Sequence, residues 1–248
     1  KPELFHPGLS VLVSSLFFRV AHRLLQKLPV PKVVRQDELH SWKWRNLSVS
    51  LVHSLLTGAW ALTCNLHSYH TPLSYLLVCV STGYFVQDAG DIILTGHARG
   101  SWEFLVHHAL VRRLACGQCV FFHAFLLYVA GAVIALFVEV NSVTLHLRLM
   151  LKLAGAQSST MYYVNKLANL LTYVAFRLST QAYLTWYIVN NYSWMDRGGY
   201  FLFSMMLMNI MILVYFYRLL RADFFPRSKS SARQNGTHNN NSRKFLSD

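Results

Sequence analysis

The sequence is short of charge. Charged residues make up 13% of its 248 residues, whereas hydrophobic residues make up 54%, and the mean hydropathy is +0.30. Soluble domains contain about 25% charged residues, so this chain has too few charges to cover a soluble surface. The shortage therefore predicts an integral membrane protein, and the spacing of the apolar runs predicts one all-α helical bundle with polar ends.

Acidic residues are scarcer than basic ones: 10 Asp and Glu stand against 23 Lys and Arg, which gives a formal net charge of +13. The basic residues lie between apolar runs and in the C-terminal tail, and they form no basic face on a soluble fold. That placement is typical of attraction to anionic lipid headgroups. We therefore expect membrane phospholipids or fatty acyl chains as partners, and no nucleic acid.

Cysteine pairs are too few for a zinc site. The four cysteines all lie in or beside apolar runs: Cys64, Cys79, Cys116 and Cys119. Cys116 and Cys119 have redox or zinc spacing, but no second pair completes a tetrahedral site. Small residues of transmembrane helices are the favoured interpretation, with no metal and no bound cofactor expected.

Long charge-free runs predict about seven helices, of which the first and fifth are weak. The runs occupy 8–18, two spans within 47–86 that meet at Pro72, 114–138, 143–153, 167–189 and 200–217. The turn between the fourth and fifth is expected at 139–142. We divide the chain into an N-terminal hydrophobic segment (1–31), a transmembrane domain (32–225) and a disordered tail (226–248).

The sequence also bears on whether the first helix is retained and on the orientation of the bundle. The first apolar run could be a cleaved signal peptide, but cations follow it and no small-residue cleavage site is evident, which favours a retained helix. Lys and Arg cluster in the loop after that helix and in the tail, so both are expected in the cytosol.

Ionisable residues in or beside apolar helices are costly and often mark function. Asp88 and Asp91 are three residues apart, which places both on one helix face, whereas the adjacent His107 and His108 would point about 100° apart. Such groups could bind a metal, form a base with an orienting carboxylate, or let an imidazole carry an acyl group. Alternatively they are interface residues, or they pair only to hold the bundle together.

We expect one interior cavity lined by the candidate catalytic pair His107 and His108 and by four candidate substrate-binding residues: Asp88, Asp91, Glu139 and Arg148. Arg148 can bond two carboxylate oxygens at once. Because Glu139 and Arg148 are nine residues apart on one helix, Asp88 or Asp91 is the expected partner of Arg148.

These residues also carry a resemblance to a known family. The matching segments are Gly83-Tyr84-Phe85 leading to Asp88 and Asp91, Trp102-Glu103 leading to His107-His108, Val138 to Ser142, Arg148-Leu-Met150, Tyr163-Val-Asn165-Lys166, Phe176-Arg177 and Gln181-Ala-Tyr183. In order and spacing they resemble the TLC domain (TRAM, LAG1, CLN8), over nearly the whole chain. The resemblance implies a six- to seven-helix transmembrane bundle around a central cavity that admits lipid.

The resemblance also implies two functional classes. Ceramide synthases of this family are acyltransferases that use acyl-CoA, and their paired histidines match His107 and His108. Their His-Asp followed by a second Asp is replaced here, since Val138 precedes Glu139 and Ser142 stands at the second Asp, which argues against ceramide synthesis.

The branch that these residues resemble is associated instead with the phospholipid composition and fluidity of the plasma membrane, limiting polyunsaturated chains. The expected function is therefore regulation of phospholipid acyl composition at the plasma membrane, with the endoplasmic reticulum as the alternative location. An acyl-CoA-dependent lipid acyltransferase that uses His107 or His108 is the first alternative function. A membrane module that modulates a calcium channel or a lipid enzyme is the second.

Overall fold

The computed structural model describes residues 6–25, 27, 29–67, 71–96, 105, 125–195 and 198–224, and this part of the chain is helical without a strand. The helices are α1 (Pro7–Leu25), α2 (Lys32–Arg35), α3 (Glu38–His67), α4 (Pro72–Leu94), α5 (Phe125–Ala135), α6 (Val138–Leu153), α7 (Thr160–Thr172), α8 (Ser179–Asn190) and α9 (Gly198–Phe224). A π-helical segment, Tyr173–Leu178, joins α7 to α8, and a 3₁₀ turn, Tyr192–Trp194, follows α8.

Five helical stretches are long and apolar enough to cross a membrane by length and composition: 8–25, 38–64, 72–94, 129–153 and 198–224. The run from Thr160 to Asn190, which is not one of these five, stays helical through the π segment and is about 45 Å long at 1.5 Å per residue. A hydrocarbon core is about 30 Å thick. The all-helical membrane bundle expected from the sequence is confirmed.

α1 is packed into this bundle. Its outer face exposes more than half of each large apolar side chain, including Leu12, Leu16 and Val20, as expected for a surface in lipid. Its inner face buries Phe18 completely, in a cluster with Val49 of α3 and Tyr84 of α4.

The boundaries of α4 follow from local sequence. Thr71 caps its start by accepting a hydrogen bond from Ser74 N at 3.2 Å, and Pro72 occupies the first turn, where its missing N–H costs nothing. The helix ends at Leu94, and Gly96 then adopts a φ of +76°, which glycine tolerates without strain. Asp88 and Asp91 therefore lie inside the last turns of this helix.

The turn expected at 139–142 is wrong. The backbone bends at Leu136 and Phe137, where hydrogen bonds of the i to i−3 type replace the regular pattern, but the chain stays helical from α5 into α6. Glu139 is consequently a buried residue in the first turn of α6. Gly58 allows α3 to pack closely against the start of α6, because a Cβ at Gly58 would lie only 3.2 Å from Val140 N.

Polar contacts hold α6 against α7. The Asn141 amide is fully buried and donates to Asn169 Oδ1 and to Thr172 Oγ1, both at 3.1 Å. Asn165 Nδ2 donates to Thr144 O at 2.9 Å. In a bundle without a hydrophobic force between helices, such hydrogen bonds help to fix which helices pair.

Candidate functional site

A cavity of about 170 Å³ lies between α4, α5, α6, α8 and α9. Most of its lining is apolar, and four of the lining residues are methionines: Met195, Met205, Met208 and Met211. Methionine is unbranched and polarizable, so it adapts to irregular apolar shapes. Gly131 of α5 also lines the cavity, and no atom of the described residues lies within 4 Å of the place where its Cβ would be.

The lining also includes polar side chains, among them Ser81, Glu139, Arg177 and Gln181, which we call the polar lining. The π segment carries Arg177, whose Nη2 donates to Ser142 Oγ at 2.9 Å. Its guanidinium also lies over the Tyr173 ring, 5.3 Å from the centroid.

Gln181 of α8 positions one of the methionines. Its Nε2 contacts Met205 Sδ at 3.1 Å, so a polar side chain fixes the wall of the cavity on the α9 side.

Glu139 is anchored on the α3 side. Its Oε2 accepts a hydrogen bond from Ser54 Oγ at 2.6 Å and lies 3.8 Å from His53 Nδ1. The His53 ring stacks on Tyr84 with centroids 3.8 Å apart, and Tyr84 OH donates to Ser50 Oγ at 2.8 Å. Glu139 thus lines the cavity with its carboxylate bonded to α3, and its predicted role in substrate binding stays a prediction.

Asp88 and Asp91 are not among the residues that line this cavity. Asp88 lies seven residues beyond Ser81, about 10 Å further along α4, where the Asn46 side chain hydrogen-bonds it. Asp91 accepts a bond from Trp42 Nε1 at 3.3 Å and lies 3.8 Å from His22 Nε2. These two carboxylates join α1, α3 and α4, and their predicted part in substrate binding stays a prediction.

The expected pairing of Arg148 with Asp88 or Asp91 is also wrong. Arg148 forms a two-pronged ion pair with Asp223, in which Nη1 donates to Oδ2 at 2.9 Å and Nη2 donates to Oδ1. Lys166 Nζ lies 3.6 Å from the same Oδ1. Because Arg148 is near the end of α6, it meets the end of α9 instead of the cavity.

His107 and His108 lie outside the described residues, so their predicted role stays a prediction. Within the described ranges, no group of three His, Cys, Asp or Glu side chains is placed to bind a metal. Cys64 and Cys79 are buried, and neither forms a disulfide within the described part of the chain.

The sequence analysis did not identify all residues of the polar lining or the partner of Arg148. Arg177 was identifiable as the single cation within the run 167–189, but no pattern distinguished Ser81 from any other small helical residue. Asp223 gave no signal either, because it follows a basic stretch at the edge of the tail, where a solvated carboxylate is ordinary.

Comparison with known proteins agrees with the resemblance to the TLC domain. The model of the TLC domain matches residues 43–221. TLC domain-containing protein 1 of Homo sapiens is 41% identical over 235 residues, which cover 91% of this chain and 94% of the relative. The protein of the same name from Rattus norvegicus is 42% identical over 94% of this chain and 97% of its own length. TLC domain-containing protein 2 of Danio rerio is 40% identical, over 86% of this chain and 88% of the relative.

Proposed function

Because this chain belongs to the TLC domain family, whose members are lipid-related membrane proteins, we propose that it binds a lipid acyl chain and regulates the acyl composition of membrane phospholipids. In this proposal it limits polyunsaturated chains and so sets the fluidity of the plasma membrane. The observation that supports the proposal is a cavity inside a membrane bundle, whose lining is rich in methionine and includes a few polar side chains.

The cavity fits a portion of one acyl chain. Ligand sites are typically apolar with a few placed polar groups that fix orientation, and this cavity has that composition. At about 170 Å³ the cavity is far smaller than a whole phospholipid, so we expect it to hold part of a single chain.

Blocking the cavity should abolish this function. Gly131→Leu adds four carbon atoms where a Cβ meets no described neighbour, and displacing about four methylene-sized groups at about 0.8 kcal/mol each predicts acyl-chain binding about a hundredfold weaker. In cells that express the variant, the content of polyunsaturated phospholipid should return to that of cells without the protein. Lipidomics of matched membranes measures this.

Gly90→Leu is the matched control, because Gly90 also has no atom within 4 Å of its Cβ position but does not line the cavity. It should behave as wild type. Equal lipid profiles for the two variants, at equal expression, would refute the role of the cavity.

The same assay separates a regulator from an acyltransferase. His107→Ala/His108→Ala should leave the lipid effect intact if the chain acts as a regulator. Loss of the effect in a normally inserted double variant, together with transfer of labelled acyl groups from acyl-CoA by purified wild type, would establish the enzyme instead.

We also place the C-terminus in the cytosol, on the charge argument given above. Asn191-Tyr-Ser193 is then on the opposite side, and Asn235-Gly-Thr237 and Asn240-Asn-Ser242 in the tail should carry no glycan. Mobility shifts after glycosidase treatment of sequon variants measure this, and a glycan on either tail sequon would reverse the orientation.

A further inference from the structure

Two polar atoms at the cavity have unused hydrogen-bonding capacity. Ser81 is only 2% exposed, and neither its Oγ nor Arg177 Nε has a hydrogen-bond partner among the described residues. Both residues line the cavity. Buried polar groups are nearly always hydrogen-bonded in native proteins, so two such atoms in the lining of one cavity, on α4 and on the π segment, point to a ligand that supplies polar partners.

The charge of Arg177 is also uncompensated by direct contact. Within the described part of the chain, no carboxylate lies within ion-pair distance of its guanidinium, and its contacts are a hydroxyl and an aromatic ring. Glu139 is bonded to Ser54 on the α3 side and to Ser142, so it attracts Arg177 through the shared Ser142 hydroxyl and not by direct contact.

Arg177 lies near the middle of the helical run from Thr160 to Asn190, far from either end. A charge at that depth is costly and usually has a functional reason. An anionic ligand group would offset that cost.

We propose that Arg177 and Ser81 bind the anionic end of a single-chain amphiphile, a carboxylate or a phosphate, whose chain lies along Met205 and Met208. The proposal rests on the acyl-chain site proposed above and adds its ligand class. Guanidinium groups match carboxylate and phosphate oxygens in geometry as well as charge, and the Ser81 hydroxyl can donate to a further oxygen. A neutral alcohol or ester would use the hydrogen bonds but leave the charge unbalanced.

Binding to the purified protein in a neutral detergent tests this. The probes are palmitate, palmitoyl lysophosphatidic acid and hexadecanol, which share a chain length and differ in the head. Wild type should bind at least one of the two anions at least about tenfold more tightly than hexadecanol, since hydrogen bonds to charged groups are among the strongest. The tighter of the two anions identifies the head as carboxylate or phosphate.

Arg177→Gln keeps hydrogen-bonding capacity and removes the charge. It should lose the tenfold preference while its affinity for hexadecanol is unchanged, which also shows that the variant is folded. Lys152→Gln removes an exposed cation of α6 that does not line the cavity, and it should keep the full preference. Ser81→Ala should weaken anion binding by a smaller factor.

Two results would overturn the anion site: equal affinity of wild type for all three probes, or a full preference retained in Arg177→Gln. In either case, if Gly131→Leu still blocks hexadecanol, the acyl-chain site stands and only its head group is wrong. If no probe binds wild type, and Gly131→Leu leaves cellular lipids unchanged, the proposed function fails as well.

Discussion

Asp223→Ala should destabilise the bundle by about 3–5 kcal/mol, the usual cost of removing one partner of a buried ion pair. The Asp223 side chain is 4% exposed and the Arg148 side chain 11%, so water can do little to replace the lost contact. The change also deprives Lys166 of its partner, which leaves two cations facing each other where α6, α7 and α9 meet. Unfolding of the purified protein in detergent, by heat or by denaturant, measures the loss.

Asp37→Ala is the matched control for Asp223→Ala. Asp37 is half-exposed, and its Oδ1 accepts the Leu39 N–H at the start of α3. Loss of such a cap costs about 1 kcal/mol, so this variant should be clearly milder. Equal losses for Asp37→Ala and Asp223→Ala would contradict a buried role for the Asp223 pair.

Two further variants address the geometry of this pair. The double change Arg148→Asp/Asp223→Arg should recover part of the stability, because the opposite charges remain in contact. Truncation after Phe225 keeps Asp223 and should leave an inserted, stable protein, since the tail offers little apolar surface to bury. Aggregation of that truncated chain would show that the tail contributes to folding.

Apolar runs in the sequence were sufficient to predict the helices but not their interruptions. Pro72 was correctly read as a boundary, because proline acts locally through its own backbone. Glu139 and Asn141 were read as a turn because polar residues ended an apolar run. They are helical because α3 and α7 supply their partners, Ser54 and Asn169, and those partners are distant in the sequence.

The same reason limits prediction of the site. Helical spacing correctly predicted that Asp88 and Asp91 lie in one helix. Spacing determines in which direction a side chain points from the helix axis, but it does not show which helix packs on that side. Arg148 was assigned the wrong carboxylate for that reason, since Asp223 is 75 residues away in the chain. Glu139 was recognised because a buried acid is rare in any membrane helix, whereas Ser81 has no such distinction.

Gly83→Ala should destabilise the packing of α1 on α4. A Cβ at this position would lie 2.6 Å from Ser14 Cβ, 2.8 Å from Ser15 N and 2.8 Å from Val11 O. Two of these neighbours are backbone atoms, which cannot move aside without shifting the helix, and overpacking of this kind costs about 1–3 kcal/mol. Gly83→Leu should go further and separate α1 from α4, as small residues are what allow membrane helices to approach closely.

Gly90→Ala, on the same helix, should stabilise the protein, whereas Gly83→Ala should destabilise it. Nothing lies within 4 Å of its Cβ position, and alanine is favoured over glycine in a helix by about 1 kcal/mol. Thermal unfolding of the two alanine variants in one detergent gives the comparison, with cysteine crosslinking between α1 and α4 as the direct readout of contact. If α1 were a cleaved signal peptide, Gly83 would face lipid and both alanine variants would be stabilised alike. Stabilisation by Gly83→Ala would therefore contradict the packing of α1 described here, and destabilisation confined to Gly83 would show that α1 is a retained helix of the bundle.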